Sequence, residues 1–460
     1  MKQLLLLLSL CLFTFSCERK SKGDVVPEII TYSVDDLIYP ENAIDIPDSF
    51  SVTFKDNYFL PWQASKQALL NSIETFPGKD LAYLNAYLED DEWYGENKKP
   101  HQKWQRQAVV DNIDLSDFPN FNKKGIVISH TDLRRLPTQR PGFDRYSKAG
   151  EGFPFDYFQE TNLWANTPVY LLHRSRDKQW CYVISPYYKG WVSMHDMAVV
   201  DDDFIAQWST SEFCLPLTDA LVLADERSNY AVNAKIGMVL PYEENEAQPD
   251  EVVVYYAVSD AYQNANILKA SVNKSEVAFD TINFDATSVK GLVTNLLGQP
   301  YGWGGNLENR DCSSMIRDMM GTYRIWLPRD SKDQMNVGQN YELTGTAQQK
   351  IEIIKDKGIP YFTILRKSGH NMLYVGNDSD GDPLILHAIW GLKPYYTDDQ
   401  LADYIKTYPV EGLHQDEDGK IRGRYVIGET VITSVKLGSN HDNLVSIIDQ
   451  IYAMTNFMED

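Results

Sequence analysis

Cysteine is scarce: five occur in 460 residues, at Cys11, Cys17, Cys181, Cys214 and Cys312. That excludes a disulfide-stapled scaffold. Cys181 and Cys214 either bridge in an oxidising compartment or stay as two buried thiols. Positive charge is short as well. The 43 Lys and Arg against 65 Asp and Glu give a net charge of −22, which excludes a polyanionic partner such as nucleic acid. Beyond the leader no apolar run is long enough for a membrane helix. A lysine after the glycines is also missing: Gly302-Trp303-Gly304-Gly305 has bulky aromatics and no following Lys, so it is no phosphate cradle.

The chain is too long for one ordinary core, and its 43% hydrophobic and 12% aromatic content predicts two to four folded domains. The stretch carrying most chemistry is 297–331. Cys312 follows a loop holding Gly302, Gly304 and Gly305, and Met315, Ile316, Met319, Met320 and Tyr323 then repeat at helical spacing. Asp311 and Ser313 supply N-terminal capping chemistry. Cys312 is therefore expected at a helix N-terminus. There the dipole and free N–H groups would lower the thiol pKa and hold an oxyanion. Alone, a cysteine is more often a buried structural residue.

Two histidines shift that balance. Apolar runs at 371–376 and 384–390 flank Asn377-Asp378-Ser379-Asp380-Gly381-Asp382-Pro383, which predicts strand, turn, strand. Folding about Ser379–Asp380 sets His370 opposite Ile389, with His387 diagonal to it on the same face. One His would be base to the thiol and the other would orient it. Zinc on Cys312, His370 and His387 lacks a fourth ligand at suitable spacing. No metal and no cofactor are expected.

Tyr301-Gly302-Trp303-Gly304-Gly305, Asp311-Cys312-Ser313, Gly369-His370-Asn371 and Leu386-His387-Ala388 together resemble the NlpC-type cell-wall cysteine peptidases. These are papain-like enzymes that cut murein stem peptides between γ-D-glutamate and a diamino acid. The resemblance covers 286–460. It implies Cys312 as nucleophile, His370 as base and His387 as orienting residue. By the same resemblance Asp311 recognises a free amine, although it equally suits a helix cap. Ser313 and Ser331 match positions that bind the D-glutamate α-carboxylate, and Tyr301 and Trp303 match aromatics lining the cleft. The implied substrate is a stem peptide beginning with L-Ala-γ-D-Glu.

Ahead of this domain, short β-like runs at 125–129, 168–175, 179–185 and 190–194 predict a small barrel. The phrase Pro186-Tyr187-Tyr188-Lys189-Gly190-Trp191-Val192 resembles bacterial SH3-like domains. Runs at 219–223, 236–242 and 251–260 predict a second barrel, with Asp201-Asp202-Asp203 a solvated junction. In relatives the first such module leans over the active site. By resemblance Tyr187 or Tyr188, with Glu160 or Asp156, would do so here. Residues 28–125 carry helical patterns, and Phe59-Leu60-Pro61-Trp62 resembles the small N-terminal domain of longer members. The fold class expected is therefore multidomain. A helical region (28–125) and two SH3-like β-barrels (126–203, 204–285) precede an α+β papain-like peptidase domain (286–460).

The leader opens Met1-Lys2, followed by a short leucine-rich core, and reads as a signal peptide over 1–16. It ends Leu12-Phe13-Thr14-Phe15-Ser16-Cys17, which resembles the bacterial lipoprotein cleavage box. Cys17 would then carry lipid and 17–27 would form a tether. The expectation is an exported, membrane-anchored envelope lipoprotein acting on murein stem peptides. Two other readings compete: a wall-binding lipoprotein without activity, and a papain-like acyltransferase.

Overall fold

The computed structural model describes residues 29–458 except 73–77, 90–92, 145–151, 211, 225–228, 281, 408–414 and 416–418. The leader, the Leu12–Cys17 box and the tether lie outside the described residues.

The C-terminal domain is a helix packed on an antiparallel sheet. Six strands lie in the order Gln339–Glu342, Ala453–Asn456, Thr363–Lys367, His370–Asn377, Pro383–Leu392, Tyr425–Ser434. The helix Cys312–Thr322 crosses the two hairpin strands and has every residue buried. Its Met315, Ile316, Met319 and Met320 share a core with Leu373, Val375, Leu384, Leu386 and Ala388. A second helix, Ala286–Leu296, adds Val289, Leu292, Val293 and Leu296 to that core. It starts where Asp285 accepts a hydrogen bond from Ser288 N at 2.9 Å. Residues 332–345 hold no α-helix. A 3-10 turn at Asp333–Asn336 leads to an edge strand, and the helix comes later, at Ala347–Lys357. Thr346 caps that helix.

Two β units precede this domain. The first is a seven-stranded sheet in the order Gln159–Leu163, Thr131–Arg134, Lys189–Ser193, Trp180–Ile184, Pro168–Arg174, Lys123–Val127, Met197–Val199. The second combines a five-stranded sheet with the ribbon Leu221–Ala224/Tyr230–Ala234. Asp201-Asp202-Asp203 between them is not a linker. It opens the helix Asp202–Thr210, and Asp201 accepts a hydrogen bond from Phe204 N at 2.8 Å. Acidic residues suit the positive end of the helix dipole. Cys181 and Cys214 are free, buried thiols.

The N-terminal region ties the units together. Residues 29–47 run along the peptidase domain: Tyr32 bridges to Ile432, Ile44 bridges to Phe284, and Tyr39 stacks on Tyr361. The helix Asp48–Gln63 then buries Phe54, Tyr58, Phe59 and Trp62. Tyr58 donates to Asn166 O at 3.0 Å and Trp62 to Gly125 O at 2.7 Å, both in the first β unit. Phe54 meets Trp326 of the peptidase domain at 5.7 Å. Buried ion pairs lock the remaining interface. Arg310 reaches Asp219 of the second β unit at 2.6 Å and Asp318 of the cysteine helix at 2.8 Å, and Asp318 also accepts from Trp164 of the first at 3.1 Å.

Candidate active site

Cys312 is the first residue of its helix, and Asp311 is the cap. Asp311 Oδ1 accepts Ser314 N at 2.9 Å, and Asp311 N donates to Ser314 Oγ at 2.9 Å. This closed box fixes where the helix starts and so where the sulfur stands. Cys312 is 7% exposed. The thiol is not the acidic one expected of a helix N-terminus. Burial and then the Asp311 carboxylate push it up to about 11, against the pull of the Asn371 and Ser313 N–H groups and Arg329. The reason is that the cap that orients the helix is itself an anion beside the sulfur.

The hairpin pairs Leu373 with Leu386 and Tyr374 with Ile385, and a bulge falls only between Tyr374 and Asn377. The register around the histidines is therefore the one a fold about Ser379–Asp380 gives. His370 Nε2 and His387 Nδ1 are 2.9 Å apart, and His387 Nε2 is 3.1 Å from Thr433 Oγ1. Burial, His387 and Lys367 hold His370 well below the usual imidazole range. Burial and Lys367 bring His387 to about 3. Thiol and imidazoles are thus neutral at rest. A proton moving from sulfur to His370 leaves the net charge of the site unchanged.

Three residues brace this pair. Arg329 donates to Asp311 Oδ2 at 2.6 Å, Ser313 Oγ at 2.9 Å and Thr161 Oγ1 at 2.6 Å. Burial alone would raise the Asp311 carboxyl, but Arg329 and the Ser314 N–H outweigh it and hold it below the usual carboxylate range. Asn371 Nδ2 donates to Ser331 O at 2.8 Å and Gln334 Oε1 at 2.9 Å. Gln334 Nε2 in turn donates to Ser313 O at 2.9 Å. Helix start, Ser331 loop and histidine strand therefore share one buried network.

The first β unit forms one wall. Gly304 and Gly305 have positive φ, 60° and 82°, and an added Cβ would lie 2.8 Å from Gln159 O and 2.7 Å from Asn162 N. Only glycine lets the loop and this strand approach so closely. Trp303 meets Phe155 at 5.0 Å edge-on, Phe155 meets Trp390 at 5.9 Å, and Trp390 meets Tyr301 at 6.2 Å. Burial, then Cys312 and Asp311, raise the Tyr301 hydroxyl well above its usual range, so it stays a donor beside the thiol.

Of the paired tyrosines, Tyr187 is not at the cleft. It stacks on Trp326 at 5.1 Å under the Arg317 guanidinium, because the domain interface offers it an aromatic slot. Tyr188 faces Glu160 and Asp330 instead. Asp156 is also excluded from the cleft: it pairs with Arg134 at 2.8 Å and accepts Gly142 N and Phe158 N. Glu160 pairs with Arg135. Among the described residues, no group of three His, Cys, Asp or Glu is placed to hold a metal.

Residues 298–389, which hold Cys312, His370 and His387, match the NlpC/P60 family model. The C-terminal domain belongs to the NlpC/P60 family. Residues 141–193 match an SH3 domain of SH3b1 type, and residues 5–118 match the N-terminal NLPC_P60 stabilising domain. Among solved structures, an NlpC/P60 endopeptidase from Photobacterium damselae subsp. piscicida is 25% identical, with a TM-score of 0.78, covering 95% of this chain and 99% of that one. An NlpC/P60 family protein from Bacillus cereus is 14% identical, with a TM-score of 0.45, over 73% of this chain and 99% of its own. No curated protein matches the chain. NlpC/P60 proteins are cysteine peptidases of the cell wall, and the SH3b module is in keeping with a murein substrate.

Sequence reasoning overlooked Arg329, Asn371, Gln334 and Thr433, together with Phe155 and Trp390. Asn371 stood inside the Gly369-His370-Asn371 motif itself. Arg329 was also visible, as a cation set between Ile325-Trp326-Leu327-Pro328 and Ser331. Thr433 gave no signal, because its role depends on which strand lies beside His387.

Proposed function

We propose that the protein hydrolyses murein stem peptides between γ-D-glutamate and a diamino acid, requiring a free N-terminal L-Ala. The observation that carries the reading is Arg329, which reaches Thr161 of the SH3b unit and Asp311 and Ser313 beside the nucleophile. In this reading the SH3b unit, tied through Arg329 to the start of the cysteine helix, bounds the amino side of the cleft and admits a short peptide end rather than a peptide still attached to its glycan. Asp311 Oδ1 is filled by Ser314 N, Ser314 Oγ and Ser313 Oγ, while Oδ2 accepts from Arg329 and Glu160 accepts from Arg135. Asp311 Oδ2 and Glu160 each keep acceptor capacity for an incoming ammonium. By the family resemblance Ser313 and Ser331 would bind the D-glutamate α-carboxylate, with Arg329 bonded to Ser313 Oγ.

The chemistry is acyl transfer. His370 takes the Cys312 proton on Nδ1 while its Nε2–H donates to His387 Nδ1, and His387 Nε2–H donates to Thr433. The sulfur attacks the γ-carbonyl. The Cys312 N–H, which has no helical carbonyl to serve, and the Tyr301 hydroxyl stabilise the oxyanion. His370 then protonates the leaving amine, and water releases the L-Ala-γ-D-Glu acyl group. The leader reading adds a lipid anchor on Cys17 and an envelope location.

The test is hydrolysis of L-Ala-γ-D-Glu-diaminopimelate and its N-acetyl form, followed by mass spectrometry. Release of the dipeptide from the free-amine form alone is expected. A loss of about two to three decades in kcat/KM on acetylation fits one partner lost from a buried charged pair. Equal rates would discard the free-amine requirement. Equal discrimination by Asp311→Asn and wild type would reduce Asp311 to a cap.

A further inference from the structure

Beside His370 stands a cation that the chemistry above does not use. Lys367 and His370 are directly opposed across the Ser368-Gly369 turn, so their side chains leave the sheet on one face. His387 shares that face through its contact with His370. The ammonium acts on both imidazoles and is acted on by Cys312. Its hydrogen bond runs to Gln450 Oε1 at 3.5 Å. Gln450 is oriented by donating to Val445 O at 2.8 Å and Ser446 O at 3.1 Å. The neighbouring Arg366 is already engaged by Tyr452 Oη at 2.8 Å and Asn371 Oδ1 at 2.8 Å.

Among the described residues no carboxylate pairs with Lys367; the charged groups acting on it are Lys393 and Cys312. In a chain of net charge −22, a half-buried ammonium beside a second cation is an unbalanced placement. Burial and Lys393 hold its pKa below that of an ordinary lysine, and an arriving anion would relieve the repulsion.

The direction of the reaction says which part of the substrate reaches it. His370 hands its proton to the leaving amine, so that nitrogen must lie against the imidazole. The rest of the diamino acid then extends past His370, away from the Asp311 and Arg329 end. We propose that Lys367 binds a carboxylate carried by the leaving diamino acid, and that this contact sets which diamino acid the enzyme accepts. This rests on the bond assignment above. The carboxylate is either the α-group of a C-terminal residue or the distal group of a diaminopimelate.

Three tripeptides cut by the full chain decide it. They are L-Ala-γ-D-Glu-L-Lys, the same peptide as its C-terminal amide, and L-Ala-γ-D-Glu-diaminopimelate with its α-carboxyl amidated. At least one carboxylate-bearing peptide should exceed the lysine amide by about tenfold in kcat/KM, the usual worth of a hydrogen bond to a charged group. Which of the two does so names the carboxylate. Lys367→Met should level the three by raising KM for the preferred peptide, and Lys367→Arg should retain the preference. Equal kcat/KM on all three in the wild type would overturn the inference. So would a uniform fall in kcat in Lys367→Met, which would make Lys367 a support for the thiolate only. If the wild type cuts none of them, the bond assignment fails first and the inference falls with it.

Discussion

His370 Nε2 and His387 Nδ1 face each other at 2.9 Å, and neither ring carries charge at neutral pH. His387 sits at about 3 in the folded chain, against about 6.5 when unfolded. Between those values the unfolded chain binds a proton that the folded chain refuses. The stability from this group is therefore complete above about pH 6.5 and declines as pH falls toward 3. Urea midpoints should drop from pH 7 to pH 5, and His387→Gln should show a shallower drop. His101, His130 and His370 are also lowered, chiefly by burial, and His387 contributes to the lowering of His370, so the difference between the two proteins reads the coupled His370/His387 pair. Identical slopes would remove the pair's coupling through His387 from the titration.

Alkylation reports the state of the thiol. With Cys312 raised to about 11 by burial and Asp311, its reaction with iodoacetamide should still be accelerating at pH 9. A rate constant flat between pH 6 and pH 8 would instead reveal a preformed thiolate–imidazolium pair.

Arg329 joins Asp311, Ser313 and Thr161 in one buried set of contacts. Arg329→Met should destabilise the protein by about 3–5 kcal/mol, because it leaves the Asp311 carboxylate buried without its cation. Chemical denaturation measures this. Adding Asp311→Asn should recover part of the loss, since the amide needs no counter-charge. A single variant as stable as wild type would show that water reaches Asp311.

Thr433 acts through His387. Thr433→Val should lower kcat by about tenfold or more with little change in KM, since the hydroxyl only fixes the tautomer that frees His370 Nδ1. The pH–rate profile should shift along with kcat. A change in KM alone would assign Thr433 a different role.

Cys17 tests the anchor. Metabolic labelling with a fatty-acid analogue should mark the wild type and fail in Cys17→Ser. Persisting label in that variant would end the lipoprotein reading.

Cys312 at a helix start and the His370/His387 pairing were legible in the sequence because each depends on local rules. A capping residue precedes a 3.6-residue apolar period, and a short turn joins the two histidine strands; the turn itself centres on Asp380, and a bulge after Tyr374 restores the register that a fold about Ser379–Asp380 gives. The same rules located the strands of the first β unit around Trp180–Ile184 and Lys189–Ser193. What failed depended on contacts distant in sequence. The thiol pKa turned on how deeply Asp311 and Cys312 are buried together. The sequence left Tyr187 against Tyr188 and Glu160 against Asp156 open, and tertiary partners bear on both pairs: Trp326 holds Tyr187, Arg134 holds Asp156 and Arg135 holds Glu160. Periodicity determines which face of an element is apolar. Only the packing of one domain on another decides which polar groups are left free to meet a substrate.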